Sequence, residues 1–169
     1  ATLEQVWKRH IADSLQLLPL APAGARRWLD LGSGGGFPGL VLAAALADTP
    51  EAEVTLVESN ARKCAFLREA GRAMGAKISV RQERIEDVVG DFAGAVDVVT
   101  ARALAPLPVL LDWTARLLTT GTIGLFPKGK EVKAELTETA KSWRVELTIH
   151  NSLTDPAGRI LRVTNAAPR

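Results

Sequence analysis

A chain of 169 residues that is 47% hydrophobic and 24% charged is long enough for one domain with a substantial core and too short for two of ordinary size. Its one cysteine, Cys64, excludes an intramolecular disulfide and a cysteine zinc cluster and points to a reducing compartment, the cytoplasm. The longest apolar stretch, Gly39 to Ala47, is too short to cross a bilayer, and a net charge of +2 permits a nucleic-acid partner without arguing for one.

Leu3, Val6, Trp7, His10, Ile11, Ser14, Leu15 and Leu18 recur at helical spacing, so residues 2–18 are expected to form an amphipathic helix that Pro19 and Pro22 end. The chain opens inside this pattern without an initiator Met, as a fragment of a longer chain would. Trp28 to Leu31 reads as a short strand interrupted by Asp30, followed by a glycine-rich loop, Gly32 to Gly36. Pro38 stands where a helix begins, running from Gly39 to Ala47. Val54 to Val57 is a β-branched strand, and Asn60 caps a helix that stops at Gly75. Strands are predicted at Ile78 to Val80, Val96 to Thr100 and Thr122 to Phe126, with helices at Leu104 to Leu118 and Val132 to Trp143 between and after them. Two last strands, Val145 to His150 and Ile160 to Val163, are joined through Asp155-Pro156-Ala157-Gly158. Alternation of strands and helices means a doubly wound, mostly parallel α/β sheet, here seven-stranded and Rossmann-like, closed by an antiparallel hairpin. The expected division is a helical segment at 1–22 and a ligand-binding domain at 23–169.

The motif with most chemical content is Asp30-Leu31-Gly32-Ser33-Gly34-Gly35-Gly36-Phe37-Pro38-Gly39. Glycines between a strand and a helix let the chain turn sharply and let a ligand approach the main chain. Gly34, Gly36 and Gly39 match G-x-G-x-x-G, so a dinucleotide must be weighed against S-adenosylmethionine. Glu58, about 20 residues further on, suits the ribose hydroxyls of either. Asp30, directly before the loop, separates them: its carboxylate repels a pyrophosphate and attracts a group carrying an ammonium and a sulfonium. A structural carboxylate capping loop amides is the competing role for Asp30. Arg84-Ile85-Glu86-Asp87 follows the third strand, at the sheet edge where ligands bind. There Ile85 and Glu86 can hold an adenine ring, although an acid-rich helix start explains the same residues. Together these features point to a class I S-adenosylmethionine-dependent methyltransferase.

Five stretches carry a resemblance: Trp7 to Leu15, Asp30 to Leu40, Val57 to Arg68, Thr100 to Ala103 and Leu125 to Gly129. Through them the chain resembles the rRNA small subunit methyltransferase G (glucose-inhibited division protein B) family. The Trp-x-Arg-His-Ile-x-Asp-Ser and Phe-Pro-Lys-Gly stretches are its most specific marks. The resemblance implies a bacterial enzyme that methylates N7 of one guanine in 16S rRNA, with S-adenosylmethionine as cofactor. It places Gly32, Phe37, Ile85, Glu86 and Arg102 along the cofactor.

Such chemistry needs no general base, because N7 of guanine attacks with an in-plane lone pair, and positioning and electrostatics suffice. The fourth strand ends in Thr100-Ala101-Arg102-Ala103, without the Asn/Asp-Pro-Pro-aromatic pattern used on exocyclic amines. Cys64 lies inside a helix, as an inert packing residue does. The expected cofactor contacts are Asp30, Gly32, Gly34, Phe37, Glu58, Ile85, Glu86 and Arg102. Arg102 grips the methionine carboxylate, donates to guanine O6, or pairs with a helix. Arg9, His10, Lys128 and Lys130 are the expected RNA contacts, weighed against solvated surface. Phe126 and Pro127 stack on a base or pack in the core. The other expectations are the small ribosomal subunit as partner, a monomer, and no metal or membrane. Rival readings are a methyltransferase of the same fold acting on protein or a small molecule, a nicotinamide-dependent oxidoreductase, which the absence of tyrosine disfavours, and a non-catalytic cofactor-binding module.

Overall fold

The computed structural model describes residues 2–169. Seven strands form one sheet in the order β3-β2-β1-β4-β5-β7-β6. They are β1 (Arg27–Leu31), β2 (Glu53–Val57), β3 (Ile78–Arg81), β4 (Val98–Ala101), β5 (Ile123–Lys128), β6 (Trp143–Asn151) and β7 (Arg159–Pro168). The first five are parallel; β7 inserts antiparallel between β5 and β6. The expected mostly parallel sheet with an antiparallel terminal pair is present. β6 and β7 are longer than their apolar cores suggested, because Trp143 to Asn151 pairs with Arg159 to Pro168 almost throughout.

β1 shows why both faces of the sheet are covered. Trp28 packs on one side with Leu17, Leu40, Leu42 and Leu67, whereas Leu29 and Leu31 pack on the other with Leu107, Leu110 and Leu111. A central parallel strand is buried on both faces, so every residue of β1 after Arg27 is buried, Asp30 included. The first face is covered by helices α3 (Gly39–Ala45) and α4 (Ala61–Ala73), the second by α5 (Ile85–Val88), α6 (Leu107–Thr119) and α7 (Val132–Ser142). Asn60 caps α4 by accepting from the Lys63 amide at 3.0 Å. α6 begins at Leu107, later than its periodicity suggested. Pro106 is its N-cap, and Ala103 before it takes φ +50.

The amino-terminal segment departs most from expectation. It comprises α1 (Leu3–Val6), a π-helical turn (Trp7–Ala12), α2 (Asp13–Leu15) and a 3₁₀ turn (Leu18–Leu20). Of the predicted stripe Ser14 is buried and His10, Ile11, Leu15 and Leu18 are half-buried; Leu3, Val6 and Trp7 are exposed, Trp7 by 63%. Leu17 is fully buried against the sheet and fixes where the segment docks.

Candidate active site

Strand order reverses between β1 and β4, and in doubly wound sheets the crevice outside the carboxyl ends of the strands at that point takes the ligand. Here β1 runs into the glycine loop and β4 into Arg102, Ala103 and Leu104. Gly32 at φ +63 starts the loop. That left-handed backbone favours glycine, and a Cβ there would also push against the Leu104 side chain at the end of β4. Gly35 borders open space, which leaves its main chain accessible.

Glu58, one residue past β2, organises the loop. Its Oε2 accepts from the Gly34 amide at 2.9 Å and its Oε1 from the Asn60 amide at 2.8 Å. Each oxygen keeps a further lone pair, which is what a pair of ribose hydroxyls requires. Beside Glu58 lies a cavity of about 170 Å³ lined by Gly32, Val57, Ile85, Glu86, Leu104 and Trp113 among others. Its aliphatic and indole walls with a carboxylate at the edge suit a flat heteroaromatic ring. A neighbouring crevice, lined by Gly32 to Gly35, Phe37, Glu58, Lys63 and Arg102 to Leu104, continues along the loop. The expected residues Gly32, Gly34, Phe37, Glu58, Ile85, Glu86 and Arg102 all border these two spaces.

Asp30 does not border them. It is 1% exposed, beneath the loop, and its Oδ1 accepts from Thr100 Oγ1 at 2.7 Å. Its Oδ2 is buried without a hydrogen-bond partner. Burial pushes this carboxyl up to about 6, against the opposing hydrogen bond from Thr100 and the charge of Arg102. The expectation that Asp30 faces the ligand space is corrected. β1 turns even-numbered side chains toward α3, so Asp30 lies beneath the loop beside Gly39 and not in the crevice.

Arg102 stands where the loop crevice meets a wider one. Its guanidinium lies over the Phe37 ring at 5.6 Å. NH1 donates to the Arg9 carbonyl at 3.1 Å and to Asp13 Oδ2 at 3.2 Å, and NH2 lies 3.1 Å from His10 Nδ1. His10 stacks on the other side of this cluster, its ring 4.7 Å from that of Phe37. A salt bridge to a helix is one of the three roles the sequence offers Arg102, and the structure realises it through Asp13 of α2 while keeping Arg102 on both crevices.

The wider crevice, about 490 Å³, lies beyond Arg102 between the ends of β4 and β5 and the β6–β7 turn. Its ionisable lining is balanced, with Asp13, Glu135 and Asp155 against Arg102, Lys128 and Arg159. Lys128 is part of this wall and not of the outer surface. Its side chain is 7% exposed, donating to the Ala105 carbonyl at 2.8 Å and paired with Glu135 Oε2 at 2.7 Å. The expectation of Lys128 as a phosphate contact is therefore corrected: β5 carries it two residues past the buried Phe126, where α7 closes over it. Phe126 is fully buried and belongs to the core, whereas Pro127 lines the crevice. Arg9 and Lys130 are exposed and His10 is half-buried. Cys64 is buried, its Sγ donating to the Glu58 carbonyl at 3.1 Å, and burial pushes its thiol up.

Sequence reasoning missed Leu104 and Trp113 in the ring cavity and Asp13, Glu135 and Arg159 in the wider crevice. Asp13 had a signal, since it stands three residues after His10 within one helical stretch. Glu135 had none, because only the docking of α7 brings it to Lys128. Among the described residues no group of three or more His, Cys, Asp or Glu is placed to hold a metal ion, and no helix is long and apolar enough to cross a membrane.

Comparisons with known proteins agree with this fold. The fold matches a SAM dependent methyltransferase from Aquifex aeolicus with a TM-score of 0.64 at 12% identity, covering 94% of this chain and 92% of that one. It also matches a putative O-methyltransferase from Klebsiella pneumoniae with a TM-score of 0.65 at 15% identity, covering 98% and 81%. At such identities the likeness is one of fold. In sequence, the chain is 57% identical over 166 residues to the Ribosomal RNA small subunit methyltransferase G of Methylobacterium nodulans, covering 98% of this chain and 77% of the relative. It is 54% identical to that of Rhodopseudomonas palustris, covering 99% and 72%. The family model for rRNA small subunit methyltransferase G matches residues 1–160, and the chain belongs to that family.

Proposed function

We propose that this chain transfers the methyl group of S-adenosylmethionine to N7 of one guanine in the 16S rRNA of the small ribosomal subunit. The observation that carries this reading is the junction at Arg102. A ring cavity and loop crevice suited to the cofactor open there onto a wider crevice whose charges are already paired, Arg102 with Asp13 and Lys128 with Glu135. A charge-balanced, polar crevice suits a neutral base better than a phosphate.

When bound, S-adenosylmethionine supplies an electrophilic methyl on a sulfonium. Glu58 would accept from the ribose hydroxyls with the lone pairs that Gly34 and Asn60 leave. Ile85, Leu104 and Glu86 would hold the adenine ring. Arg102, its guanidinium over the Phe37 ring, would hold the methionine carboxylate. Asp30, ionised at neutral pH, sets a negative field under the loop that favours a cationic ligand. No residue must take a proton, because N7 loses none. Exposed Arg9 and Lys130 meet RNA phosphates together with His10, Arg9 and His10 belonging to the segment 1–22, while residues 23–169 hold the cofactor. The enzyme acts in the cytoplasm as a monomer.

The test is incubation with radiolabelled S-adenosylmethionine and small ribosomal subunits, followed by mapping of the labelled nucleotide. One 16S guanine labelled at N7 is expected. Label in protein, in another base or at an exocyclic amine would overturn the reading.

A further inference from the structure

We propose that Asp13 is a positioning residue: it holds the Arg102 guanidinium at the junction of the two crevices and thereby sets cofactor affinity. The proposal rests on the reading of Arg102 as the contact to the cofactor carboxylate.

The two oxygens of Asp13 have divided tasks. Oδ2 faces Arg102 NH1 at 3.2 Å. Oδ1 accepts from Gln16 Nε2 at 2.8 Å and from Thr154 Oγ1 at 2.7 Å. Those two donors are themselves joined, because the Gln16 side-chain oxygen accepts from the Leu153 amide at 2.8 Å and Gln16 Nε2 lies 3.2 Å from Ser152 Oγ. Asp13 is thus fixed from the amino-terminal segment and from the β6–β7 turn, elements about 140 residues apart in the chain. The oxygen left over is the one that meets Arg102.

Fixing the carboxylate fixes the arginine. A long side chain at a strand end has many rotamers, and a group that must meet a ligand carboxylate in one orientation binds better when it is held there beforehand. Arg102 is held on three sides, by Asp13, by the Arg9 carbonyl and by His10, with Phe37 beneath it. Only Asp13 among these partners carries a full negative charge and a second anchor. The pair is largely shielded, the two side chains being 19% and 18% exposed, so its geometry is not dissipated by solvent. The alternative consequence of the same contact is competition, in which the Asp13 charge weakens the hold of Arg102 on the cofactor carboxylate. The two consequences have opposite signs and separate cleanly.

Titration calorimetry with S-adenosylhomocysteine, which needs neither RNA nor turnover, is the measurement. Asp13→Asn keeps an oxygen for Gln16 and Thr154 but turns an amide toward Arg102. It is expected to weaken binding about tenfold while the variant stays folded at the titration temperature, as its thermal unfolding curve checks. Thr154→Val, which loosens the anchor alone, is expected to weaken it two- to threefold. Arg102→Ala is expected to weaken binding at least as much as Asp13→Asn, and adding Asp13→Asn to Arg102→Ala is expected to cost nothing more. Unchanged or tighter binding in Asp13→Asn, or a full tenfold loss on top of Arg102→Ala, would overturn the inference. Unchanged affinity in Arg102→Ala would place the fault in the reading of Arg102 itself and overturn the inference with it.

Discussion

The two halves of the site are built by different means. On the β1–β2–β3 side, one carboxylate, Glu58, holds two main-chain amides, Gly34 and Asn60, both within 24 residues of it. On the β4–β5–β7 side, charged side chains from distant segments hold one another: Arg102 meets Asp13 across 89 residues, and Lys128 meets Glu135 of α7. A cofactor has a fixed shape, which a rigid backbone loop can match. An RNA base arrives on a flexible strand, and the crevice receiving it is made of side chains whose charges already cancel.

The largest expected effect lies in the second half. Glu135→Ala strips Lys128 of its carboxylate partner and the Leu107 amide at the start of α6 of its acceptor. Breaking a buried ion pair costs about 3–5 kcal/mol, and because Glu135 is 23% exposed a loss of about 2–3 kcal/mol is expected in urea unfolding. A loss below about 0.5 kcal/mol, the size of an ordinary surface substitution, would show that the pair does not hold the crevice wall.

In the first half, Glu58→Ala removes the acceptor for the ribose hydroxyls and leaves the Gly34 amide unpaired. Cofactor binding by calorimetry is expected to weaken by about 1.5–3 kcal/mol, roughly ten- to a hundredfold, with smaller loss of fold stability than in Glu135→Ala. Equal losses of stability in the two variants would erase the distinction between the halves.

Asp30→Asn sharpens the contrast from beneath the loop. The native carboxyl titrates near 6, above its ordinary range, so the folded protein binds the proton more tightly than the unfolded chain. Between about pH 4 and 6 this makes stability fall as pH rises, and the penalty is fully present above pH 6. Asp30→Asn removes that slope and is expected to gain on the order of 1–2 kcal/mol at pH 7.5, while binding the cationic cofactor several-fold more weakly. Thermal unfolding across pH 4 to 8 reads the first effect and calorimetry the second. A variant that is destabilised at pH 7.5 would contradict the assignment of cost to this carboxylate.

The smallest effect is expected at the rim. Lys130→Glu should leave cofactor binding intact and lower the salt dependence of RNA binding by about one unit of log–log slope. An unchanged slope would remove Lys130 from the RNA-facing surface.

What could be read beforehand follows the same division. The glycine loop, Glu58, Ile85 and Glu86 were legible because strand ends and their following turns fall at one sheet edge whenever strands and helices alternate. Asp30 was found but misplaced: its motif position is visible in sequence, whereas the side of β1 it occupies depends on which neighbours bury the strand. Lys128 was misjudged because a lysine after a glycine-bounded strand end reads as solvated. Glu135, which neutralises it, is one of several glutamates on α7 that sequence does not distinguish. The exposed Leu3, Val6 and Trp7 defeat the helical periodicity that predicted a buried stripe, since periodicity says which face is apolar and not what covers it.

Methyl transfer without a general base is the central claim, and single-turnover rates under saturating cofactor and RNA from pH 5.5 to 9, on the wild type and on His10→Ala, test it most directly. The account predicts a rate flat from pH 7 to 9, with a fall only near and below pH 6 as Asp30 takes up its proton. The curve for His10→Ala should keep the same shape at a lower level, because His10 supports Arg102 and accepts no proton. An acid limb of tenfold per pH unit that is present in the wild type and lost in His10→Ala would show a histidine base at work and contradict it.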